Sequence, residues 1–209
     1  GVERGGVVGR VGAGGGPGSL GLGGGVGGGC VVRGDWGGAR IGAAGVGYTN
    51  EVGLGARGDW LYVNETFARR TSRFPLRNDG SLGSRETFTE YGAGTFPDGM
   101  AFDEEGHLWV VSIISNRVLR VAPDGTTVTV LEDADPGHVA WVEAAYLAGE
   151  LDRPHLDGVK SRMLRNISSV AFGGPDRRTA YLGCLLDDAI YAFPSPVAGL
   201  APAPWHWPA

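Results

Sequence analysis

Residues 48–66 read "YTNEVGLGARGDWLYVNET", and residues 96–112 read "FPDGMAFDEEGHLWVVS". The second stretch repeats the plan of the first. Placing Asn50 on Asp98 puts Val52 on Met100, Leu54 on Phe102, Gly58 on Gly106 and Leu61 on Trp109, an offset of 48 that slips to 47 by Arg73 and Arg120. Each stretch opens on a polar residue and continues with alternating apolar residues. A Gly/Asp turn and a second apolar run follow. Alternation of period two is the mark of a strand with one buried face.

The pattern extends outward from these stretches. In the first block the expected strands are Val52–Leu54, Trp60–Val63, Ser72–Leu76 and Glu86–Glu90. In the second they are Met100–Phe102, Leu108–Ser112, Arg117–Val121 and Thr127–Leu131, with "PDG" at 123–125 forming a turn by its own chemistry. A third block starts at Ser168 and carries Val170, Phe172, "AYLG" at 180–183 and "AIYAF" at 189–193. It aligns with the second at an offset of 70 and then 72, so the extra length falls in 132–165. Repeats near 48 residues with about four short strands each predict an all-β chain of β-propeller blades. A sandwich of unrelated hairpins is the alternative, and three aligned blocks argue against it.

Glycine divides the chain. Of 39 glycines, 25 lie in residues 1–58. The tract "VGAGGGPGSLGLGGGVGGGC" (11–30) has neither a collagen period nor a strand or helix pattern. Ordering so much glycine is entropically expensive, and it buries little side chain. The expected organisation is therefore an irregular, poorly packed segment over 1–47 and a partial propeller over 48–209. The tract reads either as a linker or as an out-of-frame reading of a GC-rich gene. Its glycines lack the spacing of a dinucleotide loop.

The totals exclude some classes. The net charge is −5, with 20% charged and 42% apolar residues, which gives no basic surface for nucleic acid or membrane. No apolar run is long enough to span a bilayer, and no secretory leader is visible, so a cytoplasmic setting is expected. Cys30 and Cys184 make neither a disulfide framework nor a zinc knuckle. The four histidines, His107, His138, His155 and His206, lack ligand spacing and read as surface or turn residues.

In a propeller the first strand of each blade lines the central channel. Asn50, Asp98 and Ser168 hold the same place at the start of three such strands, so they are expected to converge at the channel mouth. An amide, a carboxylate and a hydroxyl there suit a hard divalent cation. They equally suit a water-filled channel lined with polar groups. Glu51 follows Asn50 and, on a regular strand, faces the other way. Glu65 ends a second strand near the mouth or the outer shell.

The stretches "TNEVGLGARGDWLYVNET", "FPDGMAFDEEGHLWVVSIISNRVLRVAPDG" and "ISSVAFGGPDRRTAYLG…AIYAF…VAGLAP" resemble the C-terminal half of the regucalcin/gluconolactonase family, also called senescence marker protein-like. The resemblance covers about residues 48–204. It implies a six-bladed propeller with one divalent metal on its axis, of which about three blades are written here, and hydrolysis of sugar lactones or related esters. It further implies that Asn50 stands at the family's asparagine ligand, and that Asp98 stands at its aspartate ligand and catalytic base. The family's N-terminal glutamate ligand, in an E-G-P-x-W context, has no counterpart, because Glu3 in "VERGG" does not match. The asparagine and arginine that contact substrate in the early blades are also unmatched.

The expected function is a metal-dependent lactone or ester hydrolase. Asp98 would ligate the metal and take the proton of water, Asn50 would be a neutral ligand, and Ser168 and Glu65 would contact substrate. The cation would be Ca²⁺, Mn²⁺, Mg²⁺ or Zn²⁺. A truncated non-catalytic fragment or binding scaffold is the second reading, and a strictosidine synthase-like propeller the third. Open blade flanks predict self-association. Within 132–165, Val139, Val142, Ala145 and Tyr146 share a helical face. That helix would either cap the channel or pack on its rim.

Overall fold

The computed structural model describes residues 7–10, 27–35 and 38–201. Their strands form four antiparallel sheets, each built in chain order. The first sheet holds β1 (Val7–Arg10), β2 (Gly27–Asp35) and β3 (Gly38–Gly47). The second holds β4 (Thr49–Leu54), β5 (Trp60–Glu65), β6 (Arg70–Pro75) and β7 (Glu86–Glu90). The third holds β8 (Thr95–Phe102), β9 (Leu108–Ile114), β10 (Arg117–Val121) and β11 (Thr127–Glu132). The fourth holds β12 (Ile167–Gly173), β13 (Thr179–Cys184) and β14 (Ile190–Pro194). The last three sheets are the three sequence blocks. Their first strands stand side by side, β4 against β8 and β8 against β12, with β1 against β4.

The sheets pack through three seams. Val31 and Val46 meet Leu61, Val63 and Phe74 in the first. Met100, Phe102, Leu108 and Val110 meet Tyr62 and Phe88 in the second. Trp109, Val111 and Val118 meet Val170, Leu182 and Phe193 in the third. Strand β9 lies between two seams, so both of its faces are apolar and every residue is buried. That explains the unbroken run "LWVVSII", where a half-exposed strand would alternate.

The expected irregular segment is replaced, where the structure describes it, by paired strands. β2 and β3 form a ladder interrupted by three register shifts. A ladder needs backbone groups and not side chains, and fully buried Val31 and Val46 supply the apolar contact. Residues 1–6 and 11–26 lie outside the described residues.

The insertion between the third and fourth sheets folds as α1 (Pro136–Ala148) and α2 (Arg153–Asp157). Asp135 caps α1 by accepting from the His138 N–H at 2.7 Å, Pro136 opens it, and Gly149 closes it at φ 72°. Val142 packs with Phe67, Phe96, Ile113 and Ile114. Helix α1 thus packs against the start of β8 and the end of β9, through Phe96, Ile113 and Ile114. It is fastened there by a bidentate Arg69–Glu143 pair at 3.0 and 2.5 Å and by the Tyr146 hydroxyl, which donates to the Phe67 carbonyl at 2.8 Å. The Arg69 guanidinium lies 3.7 Å from the Tyr146 ring centre. His138, read from sequence as a surface or turn residue, is one of the buried residues of α1. No helix among the described residues is long and apolar enough to cross a membrane.

Candidate active site

Each of the three aligned first strands breaks its ladder at the same place. Thr49 pairs with Glu65 and Val52 with Val63, so Asn50 and Glu51 together face one residue, Asn64. Pro97 pairs with Ser112 and Met100 with Val110, so Asp98 and Gly99 together face Val111. Ile167 pairs with Cys184 and Ser169 with Gly183, which leaves Ser168 as the extra residue. A bulge bends its strand and re-aims a side chain. Asn50, Asp98 and Ser168 therefore occupy one repeated position of special geometry.

The bulges explain the glycine of "PDG". A Cβ on Gly99 would come within 2.5 Å of the Ser168 carbonyl oxygen, so β12 can approach β8 only because residue 99 is glycine. They also take Glu51 out of regular alternation. Strict alternation would turn it away from the site, but the bulge suspends alternation. The charge of Glu51 reaches the Asp98 carboxyl and raises its pKa.

Asp98 is 8% exposed. Its pKa is pushed up to about 7, by burial first and by the Glu51 charge second, against a hydrogen bond from Asn50 that holds it down. Burial also raises the Glu51 carboxyl. The Asn50 amide nitrogen additionally donates to Thr66 Oγ1 at 3.2 Å, and that hydroxyl donates to the Pro97 carbonyl at 2.7 Å. The Asn64 amide donates to the Asp98 carbonyl at 2.8 Å while its oxygen accepts from Thr71 at 2.6 Å. The end of β5 thus pins the bulge of β8. Asn64 and Thr66 were missed from sequence. Their only signal was that polar residues follow the apolar run "WLYV".

Ser168 sits half-buried at its bulge in the neighbouring sheet. Glu65 is elsewhere. It is fully buried, accepts from Arg70 at 2.8 and 2.9 Å, from Ser72 at 2.5 Å and from the Gly47 N–H at 2.6 Å. These bonds hold its carboxyl below the usual range despite burial. Glu65 ties the glycine-rich sheet to the next one, and its oxygens are committed to that task.

A cation site can be tested on charge pairing. Among the described residues three carboxylates are buried, Glu65, Asp98 and Asp103. Glu65 is paired with Arg70 and Asp103 with Arg120. Among the described residues no salt bridge reaches Asp98. A buried carboxylate without a basic partner, coupled to a second carboxylate and beside an amide, suits a hard cation. No group of three or more His, Cys, Asp or Glu side chains that could hold a metal comes together among the described residues. Asp98 and Asn50 offer fewer donors than the six to eight oxygens Ca²⁺ takes.

Residues 12–142 match the SMP-30/gluconolactonase/LRE-like region, a match that begins inside the glycine-rich tract. A 6-deoxy-6-sulfogluconolactonase from Pseudomonas putida is 32% identical over 146 residues, covering 69% of this chain and 40% of that protein. A pentonolactonase from Haloferax volcanii is 29% identical over 140 residues, covering 66% of this chain and 38% of that protein. The chain therefore spans about 40% of the length of these curated relatives. Among solved structures, the calcium-binding protein regucalcin from Agrobacterium tumefaciens superposes with a TM-score of 0.58 at 20% identity, covering 85% of this chain and 55% of that one. A gluconolactonase from Xanthomonas campestris gives a TM-score of 0.55 at 19% identity, covering 80% and 45%. These likenesses establish the propeller fold, and the family match decides against the strictosidine synthase-like alternative. The chain belongs to the SMP-30/gluconolactonase/LRE-like family.

Proposed function

We propose that this chain carries the Asp98-bearing part of a divalent-metal-dependent lactone hydrolase acting on sugar lactones or related esters. The ring would be six-bladed, with this chain contributing four of its sheets. The observation that carries the reading is the Asp98 carboxylate, buried without a basic partner and hydrogen-bonded by Asn50. Asp98 and Asn50 are the residues that would hold the cation, which could be Ca²⁺, Mn²⁺, Mg²⁺ or Zn²⁺. When bound, it would supply charge to polarise the lactone carbonyl.

The chain's own residues do the rest. Asp98 Oδ takes a proton from the attacking water as the water oxygen bonds to the carbonyl carbon. The ring C–O bond then breaks, and the proton passes to the departing alkoxide, leaving a hydroxy acid. Asn50 fixes the carboxylate by its amide hydrogen bond. Asn64 and Thr66 fix the backbone on which Asp98 stands. Ser168, one sheet on, would offer a hydroxyl to substrate.

A non-catalytic scaffold is the second reading, favoured by the coverage of about 40% of the relatives' length. Hydrolysis of five- and six-membered aldonolactones, followed by acid release with Mn²⁺, Ca²⁺ or EDTA, separates the two. Turnover that EDTA stops and Asp98→Asn abolishes supports the hydrolase. A folded chain with no turnover under any metal supports the scaffold. We also propose self-association through the last sheet, where Ile190 is 70% and Tyr181 39% exposed. Sedimentation giving a monomer at all concentrations would rule that out.

A further inference from the structure

The helical insertion carries a buried histidine that the chemistry above does not use. His138, in the first turn of α1, is 5% exposed, and its Nε2 has no hydrogen-bond partner among the described residues. The ring is hydrogen-bonded to the main chain of His155 in α2. The Trp141 ring joins the two helices. Its centre lies 5.6 Å from that of His138 and 4.1 Å from that of His155, on which it stacks at 29°. Gly158, at the end of α2, lies against the same histidine: a Cβ there would stand 3.7 Å from His138 Cε1. The charged and titratable groups around the ring are Asp135 at the start of α1, His155 in α2 and Lys160 beyond it. His155 has Asp152 Oδ1 beside its Nδ1, a partner for its proton. His138 Nε2 has none, so a second proton on that ring is a buried charge without a partner.

Helix α2 is in turn tied to the sheets. The Leu156 carbonyl accepts from Asn166 Nδ2 at 2.6 Å, and Asn166 Oδ1 accepts from the Ile114 N–H at 2.7 Å. Asn166 is 2% exposed and holds φ 58°, a left-handed turn that asparagine adopts more readily than most residues. It stands directly before β12, the strand that carries Ser168. We propose that the α1–α2 hairpin is a proton-operated latch, in which uptake of a proton by the His138 ring releases α2 and, through Leu156 and Asn166, loosens the entry of β12. The direction follows from burial, which lowers the His138 pKa below its ordinary 6.5. The open hairpin therefore takes the proton more readily than the closed one. The latch is shut above pH 6.5 and loses stability as pH falls below that value.

The test is amide hydrogen exchange of the full chain at about pH 7.5 and about pH 5, corrected for the intrinsic rate at each pH. Wild type is compared with His138→Gln and His138→Phe, which lack the titrating ring, and with His155→Gln. In wild type and His155→Gln, opening of α2 and of the Ile114 amide should rise several-fold at the lower pH. In the His138 variants it should not. The amides of Val110 and Leu119, in the core of the third sheet, report global unfolding and should stay level. A rise that persists in the folded His138 variants would overturn the latch. So would a rise shared by Val110 and Leu119, the loss of the rise in His155→Gln, or no rise in wild type. Opening of α2 with the Ile114 amide still protected would overturn the coupling to β12. Should neither His138 variant fold, the His138 ring resonance of wild type supplies the readout. Its titration should run together with α2 opening, and a ring that titrates while α2 stays closed would overturn the latch.

Discussion

The Asn64 side chain, at the end of β5, donates to the main-chain carbonyl of Asp98 in β8 at 2.8 Å. The bond crosses the seam between two sheets and holds the bulge from behind. Asn64 is fully buried and also accepts from Thr71, which in turn contacts the Tyr91 hydroxyl at 2.7 Å. Asn64→Ala leaves a buried carbonyl and a buried hydroxyl short of a partner. The expected loss is about 2–3 kcal/mol in urea unfolding. A loss below about 0.5 kcal/mol, the scale of an ordinary surface change, would mean the bond contributes nothing.

Asp98 gives the chain a distinctive pH response when divalent ions are removed. Its folded pKa, pushed up to about 7, lies above the ordinary value of 3.8. Between those two values the folded chain holds a proton that the unfolded chain has released. Stability therefore falls as pH rises through that window, and the full cost is present above it. Asp98→Asn removes this term. In EDTA the variant should melt higher than wild type at pH 8, with the gap narrowing at pH 5. Melting curves at both values check this, and a gap that widens toward pH 5 would contradict it.

Glu65 makes the opposite case, a buried acid whose partners favour its charge. Glu65→Gln removes half of a buried pair and leaves Arg70, a quarter exposed, without its counter-charge. The expected cost is about 3 kcal/mol in denaturant unfolding. Because Glu65 also accepts from Gly47, hydrogen exchange in β3 should rise more than in β12. Uniform exchange across the sheets would argue against this tie.

Arg69 and Glu143 fasten α1 to the second sheet. The two side chains are 10% and 20% exposed, and Glu143 also accepts from the Gly94 N–H at 3.0 Å. A double-mutant cycle with Arg69→Met and Glu143→Gln should give a coupling of about 1–3 kcal/mol. The single variants should speed amide exchange in 136–148. A coupling near zero would show that Val142 and Tyr146 alone seat the helix.

The residues themselves determined a good deal. The offset between Asn50 and Asp98 announced the repeated sheets, and the boundaries of β5, β7, β9 and β10 were legible within one or two residues. Alternation and Gly/Asp turns are local properties, written where they act. The aligned polar position was equally legible, because repetition alone selects it. The sheet of β2 and β3 was not legible, since a backbone ladder between glycines leaves no side-chain pattern to read. Only the tertiary structure decided the bulges, because register depends on which residue of a second strand stands opposite. That decision took Asn50 and Glu51 out of strict alternation. It also committed Glu65 to Arg70 and Gly47, partners that no spacing reveals. Finally, it seated α1 on Phe67, Phe96, Ile113 and Ile114, because apolar residues at helical spacing select a face but not the surface that receives it.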